Sequence, residues 1–268
     1  MGVLERLTRG RSSVRGPAAS ATVRRVAVFS LVAALATSLG LNVFLARAAL
    51  DYVRTASAIR LDPGGLQVYA GDDRGLGPED RPLLVLFGDS RAAMWTDPVS
   101  PEYRIVNRGV GYQTTAQLLL REDVDVLRLH PAVVVLEAGV NDLNAIAEFP
   151  SRRAEIVSNC EANLSLLVKH CEAGGARVVL VTVFDIGDVA TWRRPFWSED
   201  VRDAVREVNA FLPRLVGGRV VLFDANPVLH NGQERFPGAY QVDYLHLTPA
   251  GYAQLNRSLS PLLSALPR

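Results

Sequence analysis

From residue 82 onward, the apolar positions fall into short runs separated by segments of helical period. Residues 83–87 (LLVLF) are apolar throughout, as expected of a parallel strand buried on both faces. Residues 103–106 form a weaker strand, 132–137 (AVVVLE) and 178–184 (VVLVTVF) are strong ones, and 220–223 (VVLF) are the fifth. Between and after them, residues 115–129, 151–172, 199–215 and 249–266 carry helical patterns. This alternation predicts an α/β domain whose mainly parallel five-stranded sheet has helices on both faces. No internal repeat or low-complexity tract interrupts it.

The first part of the chain follows a different pattern. Residues 26–46 contain no charge. A helix of that length reaches about 30 Å, the thickness of a bilayer core. Typical signal-peptide cores run about 7–15 residues, so an uncleaved signal anchor is the favoured reading. Ala46-Arg47-Ala48 resembles a cleavage site and keeps secretion after cleavage as the alternative. Residues 47–81, broken by Pro63, Gly64, Gly65 and further glycines, read as a connector. The expected organisation is a basic tail (1–25), a transmembrane helix (26–46), the connector (47–81) and a catalytic domain (82–268).

Net charge adds an orientation. The chain as a whole is +1, but Arg6, Arg9, Arg11, Arg15, Arg24 and Arg25 precede the apolar run against a single acid, Glu5. That excess predicts a cytoplasmic N-terminus and a domain outside the cytoplasm. The remainder is mildly acidic and offers no electrostatic footprint for nucleic acid. The two cysteines, Cys160 and Cys171, share one predicted helix. Eleven residues place them on the same side about 16 Å apart, too far for a disulfide, so two small buried apolar groups are expected. No cysteine or histidine cluster has metal spacing, and no metal or cofactor is expected.

Four short motifs lie at or just past strand ends. Ser90, in Gly88-Asp89-Ser90, follows the first core strand, where parallel sheets bind ligands. A plain helix cap is the alternative there. Asp243 and His246, three apart, are close enough for the carboxylate to reach Nδ1 and leave Nε2 for a serine proton. A structural pair is the alternative. Gly109 (in Asn107-Arg108-Gly109) lacks a Cβ and lets a substrate oxygen approach its backbone, and Asn141 (in Gly139-Val140-Asn141-Asp142) offers a side-chain amide. Ordinary loop chemistry is the alternative for both. Their joint occurrence in this order favours a serine-hydrolase site.

Over roughly residues 82–265 the chain resembles the SGNH (GDSL-type) hydrolases, named for Ser, Gly, Asn and His in four blocks. The matching blocks are Phe87-Gly88-Asp89-Ser90, Asn107-Arg108-Gly109-Val110-Gly111, Gly139-Val140-Asn141-Asp142 and Asp243 to His246. The resemblance implies a three-layer, flavodoxin-like α/β fold. It also implies Ser90 as nucleophile, His246 as base and Asp243 as its orienter. Ser90 N–H, Gly109 N–H and the Asn141 amide would form the oxyanion hole. Arg91 stands where many members carry an apolar residue, which makes it a candidate substrate contact.

Asp89 and Asp142 are expected to fix turns. His130, His170 and His230 have no partner motif and are expected at the surface or at caps. Trp192 and Trp197, in the segment after the fourth strand, are candidate substrate contacts, as a sugar-stacking wall, an acyl pocket or a headgroup contact; a loop that covers the core with its aromatics is the alternative. The expected activity is hydrolysis of a carboxylic ester, either O-acetyl groups on envelope polysaccharide or a lysophospholipid. An O-acyltransferase acting on a glycan and a non-enzymatic envelope scaffold are the alternatives. The expected partners are the ester substrate and, through residues 26–46, the membrane.

Overall fold

The computed structural model describes residues 21–72, 80–95, 100–233 and 235–267. The chain divides into two compact units, one ending at Ala58 and the other running from Ile59.

The described part of the first unit is helical. Helix α1 spans Ala21–Leu61 and is long and apolar enough to cross a membrane. Its few polar side chains turn back onto its own backbone. Thr37 Oγ1 donates to the Ala33 carbonyl at 2.9 Å and Asn42 Nδ2 to the Ser38 carbonyl at 2.8 Å. Such bonds remove the need for outside partners in an apolar medium. Helix α1 also continues through residues 47–61, which the sequence pattern assigned to the connector. That stretch is charged but has no glycine or proline, so nothing stops the helix before Pro63.

The second unit contains one sheet. Its strands are β1 (Leu83–Gly88), β2 (Arg104–Gly109), β3 (Val133–Glu137), β4 (Arg177–Val181) and β5 (Val220–Phe223). They pair in the order β2-β1-β3-β4-β5, and every pairing is parallel. Alternate residues point to opposite faces. Val85, Phe87, Val134, Leu136, Val178 and Leu180 face a core closed by α3 (Thr115–Asp125), α4 (Val140–Asn144), α5 (Arg153–Ala173) and α6 (Asp200–Phe211). Leu84, Leu86, Val133, Val135, Val179 and Val181 face the other core. There α2 (Ser90–Ala93), α7 (Ala225–His230) and α8 (Pro249–Ser264) pack together with Trp95 and Phe184. The result is the expected three-layer α/β fold. Cys160 and Cys171 are free, buried thiols inside the first core, and burial pushes both upward, Cys171 to about 12.

Residues 62–72 depart from the expected connector. They pack against the loop that follows β2, within the second unit. Gln113 Nε2 donates to the Gly64 carbonyl and Gln117 Nε2 to the Pro63 carbonyl, both at 2.9 Å. The Tyr69 hydroxyl donates to the Gly109 carbonyl at 2.5 Å, and the Arg108 guanidinium lies 4.7 Å from the Tyr69 ring. This compact unit therefore begins well before the expected boundary at residue 82. Long-range side-chain bonds of this kind leave no periodic signal.

Candidate active site

The carboxyl ends of β1, β2 and β3 converge on Ser90. Strand β1 ends at Gly88, where an added Cβ would lie 1.8 Å from the Glu137 carbonyl, so only glycine permits this approach of β1 to β3. Asp89 then caps α2, its Oδ1 accepting from the Arg91 amide at 2.9 Å. Ser90 is the first residue of that short helix. As expected, Asp89 fixes the turn. Asp142 instead reaches across to the start of α3, accepting from the Thr115 amide at 2.8 Å and the Thr115 hydroxyl at 2.6 Å.

The base arrives from a turn before α8. An isolated bridge between Gln241 and Leu247 closes it, and the Val242 amide donates to the His246 carbonyl at 2.9 Å. Asp243 Oδ1 accepts from the Leu245 and His246 amides at 2.7 and 2.8 Å, which fixes the carboxylate. Its oxygens sit 3.0 and 2.9 Å from His246 Nδ1, and His246 Nε2 sits 3.0 Å from Ser90 Oγ. Burial pushes the Asp243 carboxyl upward, but the His246 ring and the two amides outweigh it and hold the group below its ordinary range. An ionised Asp243 keeps the proton on Nδ1 and leaves Nε2 as acceptor for the serine.

Asn141 lies in the first turn of α4, and one of its amide N–H groups donates to the Gln113 carbonyl at 3.0 Å. The other N–H is available to a substrate. Gly109 is placed differently from expectation. Its amide donates to Asn107 Oδ1 at 2.8 Å, and an added Cβ would fall 2.1 Å from the Ala93 nitrogen. It is a packing glycine that lets β2 close on α2, with its N–H already committed. Two residues on, an added Cβ at Gly111 would come within 3.9 Å of the Ser90 Cβ. Among the described residues, the amides of Ser90, Gly111 and Tyr112 have no hydrogen-bond partner. Tyr112 adopts φ 64°, an uncommon conformation for a residue with a side chain and one that tends to mark functional loops.

A family model described as GDSL-like Lipase/Acylhydrolase matches residues 70–254. The chain belongs to this family. Platelet-activating factor acetylhydrolase IB subunit alpha1 of Rattus norvegicus is 26% identical over 197 residues, covering 70% of this chain and 78% of that protein. A GDSL-like lipase from Bacteroides thetaiotaomicron superposes with a TM-score of 0.61 at 22% identity, covering 75% of this chain and 98% of its own. An acetylxylan esterase from Geobacillus stearothermophilus superposes at 0.53 and 20%, covering 66% and 92%. At these identities the two structures establish a shared fold.

Within that family fold, Arg91 cannot touch substrate. It has no exposed surface. Its Nε donates to the Leu245 carbonyl at 2.8 Å and its Nη1 to the Phe184 carbonyl at 2.9 Å, with the guanidinium 5.1 Å from the Phe184 ring. The residue after Ser90 therefore grips the residue before His246. Beneath it, Glu137 and Asp89 are also wholly buried. Burial and the nearby Asp89 charge push Glu137 well above its ordinary range. Burial lifts Asp89 to about 6, against the pull of Arg91. Asp89 Oδ2 finds no ordinary donor, and the Glu137 carboxyl is met by the Asp89 carboxyl and the Ala92 amide. A proton retained on Glu137 supplies that donor, and it leaves a single negative charge opposite Arg91.

Trp192 is exposed. Trp197 is half-buried and meets the Tyr244 ring edge-on at 5.4 Å, beside the Asp243–His246 turn. Two histidines have partners that the sequence did not reveal. His170 Nδ1 bonds to Glu122, and His230 Nε2 lies 2.9 Å from Asp185. His130 caps a short 3-10 turn with φ 48°. Sequence reading also missed Arg121, which is buried and donates to the carbonyls of Gly88 (2.9 Å) and Arg108 (2.7 Å) and to Gln113 Oε1 (2.5 Å). It ties the ends of β1 and β2 to the loop under Asn141. Only its i,i+4 spacing from Asp125, with which it pairs at 2.9 Å, could have drawn attention to it. Among the described residues, no group of three or more His, Cys, Asp or Glu could hold a metal ion.

Proposed function

We propose that the chain is a serine esterase that removes a short acyl group, acetyl in the first instance, from an alcohol oxygen. The observation that carries this reading is the run of contacts from Ser90 Oγ through both ring nitrogens of His246 to Asp243, each at or below 3.0 Å. Ser90 Oγ attacks the ester carbonyl while its proton passes to His246 Nε2. The tetrahedral oxyanion is met by the Ser90 amide, the free N–H of Asn141 and an amide from Gly111 or Tyr112. On collapse the C–O bond to the alcohol breaks, and His246 returns the proton to the leaving oxygen. His246 then takes a proton from water as its oxygen attacks the acyl-enzyme, and passes that proton to Ser90 Oγ as the acyl–serine bond breaks and the acid leaves.

The short acyl group is suggested by two relatives, one named as a platelet-activating factor acetylhydrolase and one as an acetylxylan esterase. Helix α1 supports a membrane location. Residues 26–46 act as an uncleaved anchor with the arginine-rich tail in the cytoplasm and the esterase domain outside, where O-acylated envelope glycan is the substrate. Full-length protein in detergent should hydrolyse p-nitrophenyl acetate faster than the decanoate. Ser90→Ala should lose both activities with an unchanged circular-dichroism spectrum. A Ser90→Ala protein that retains activity contradicts the mechanism, and a preference for the decanoate contradicts the short acyl group.

A further inference from the structure

The 3-10 turn Thr191–Phe196 builds a plate beside the reacting atoms that the mechanism above does not use. Trp192 is 70% exposed and Phe196 80%. Arg193 lies between two rings, its guanidinium 4.8 Å from Trp192 and 5.1 Å from Tyr244. The same guanidinium donates to the Tyr244 hydroxyl at 3.2 Å, and that hydroxyl lies 3.4 Å from Asn144 Oδ1. Tyr244 sits in sequence between Asp243 and His246, and Asn144 is the last residue of α4, which also carries Asn141. The plate is therefore tied both to the base turn and to α4, the helix that contains Asn141.

Its chemistry is mixed in a particular way. Arg193 occupies one side of the Trp192 ring, and the exposure of that ring leaves another apolar surface open to solvent. At the foot of the plate stand the remaining N–H groups of Arg193, which have no protein partner among the described residues, together with the Tyr244 hydroxyl and the Asn144 amide. A fatty acyl chain laid there would desolvate these polar groups without pairing them. A pyranose ring offers an apolar C–H face to the indole and hydroxyls to the polar foot.

We infer that Trp192, Arg193, Tyr244 and Asn144 form a saccharide subsite that holds the sugar ring bearing, or next to, the ester cleaved at Ser90. This rests on the ester-hydrolase reading and adds the residues that would hold the sugar of the alcohol side.

The test compares full-length wild type, Trp192→Ala and Trp192→Phe in detergent on two substrates, p-nitrophenyl acetate and a chemically O-acetylated cello-oligosaccharide. The expected result is that Trp192→Ala lowers the ratio of kcat/KM for the oligosaccharide to that for p-nitrophenyl acetate at least tenfold, mainly through KM. Trp192→Phe should restore much of it, because a smaller ring still stacks. Equal losses on both substrates would overturn the inference, since the plate would then only prop the Asp243 turn. So would an unchanged ratio, or a wild type that cleaves p-nitrophenyl acetate but leaves the oligosaccharide acetylated. Failure of wild type on p-nitrophenyl acetate itself is a different result and rejects the esterase reading beneath it.

Discussion

The floor and the rim of this site use the same residue type in opposite ways. On the floor Arg91 is wholly buried, its Nε and Nη1 fixed on the backbone of Leu245 and Phe184 and its Nη2 buried without a hydrogen bond, with Asp89 and Glu137 beneath it. On the rim Arg193 is held by aromatic rings and a phenol hydroxyl, and its neighbours Trp192 and Phe196 are mostly exposed. A buried guanidinium with two fixed carbonyl acceptors has a single geometry, and that geometry sets the distance between Ser90 and the His246 turn. An arginine stacked in the open still has donors to offer a ligand. On the reading proposed above, the floor governs the rate of the chemical step, and the rim governs which alcohol is presented to it.

The largest expected effect separates both regions from the reacting groups themselves. His246→Ala should lower kcat/KM by about 10³ or more on any ester, because the serine then has no base. A smaller loss would mean that another group takes the proton. Asn141→Ala should lower kcat by about 10²–10³ with little change in KM, as an oxyanion donor acts mainly in the transition state. A raised KM with kcat intact would move Asn141 from the floor to substrate binding.

Arg91→Lys tests the floor directly. Lysine keeps the charge but not the planar fork that reaches two carbonyls. The expected loss is about 10–100-fold in kcat, equal for p-nitrophenyl acetate and for a glycan ester. A lowered melting temperature with kcat preserved would make Arg91 a core prop and dissolve the contrast with the rim.

These regions were unequally legible in the sequence. The five strands and the order of the four motifs could be read because both are local patterns. Arg91 could not, because its acceptors lie 93 and 154 residues away and a charged residue in a turn reads as exposed. Gly109 was misplaced for a related reason. Its residue type announces close approach, but only the structure shows that it is α2 that approaches and that Asn107 has taken the amide. The packing of residues 62–72 depends on Gln113, Gln117 and the Gly109 carbonyl, none of which is periodic.

The smallest effect is one of pH. The folded value of Asp89 is raised from 3.8 to about 6, chiefly by burial. Such an acid holds its proton more tightly in the folded state, so stability falls as pH rises through that window and the full penalty applies above it. Asp243 titrates below its ordinary range and stays out of the window. Asp89→Asn keeps a capping oxygen and removes the titration. Its unfolding free energy should change less between pH 4 and 6 than that of wild type, measured by denaturant titration. An equal slope would place the titrating proton elsewhere.

The central claim, that Ser90 is a nucleophile activated by His246, is tested most directly by covalent capture. Full-length protein treated with a fluorophosphonate should gain the mass of one adduct. Peptide mapping should place that adduct on Ser90, Ser90→Ala should gain none, and His246→Ala should react far more slowly. An adduct on another residue, or one that persists in Ser90→Ala, would contradict the account.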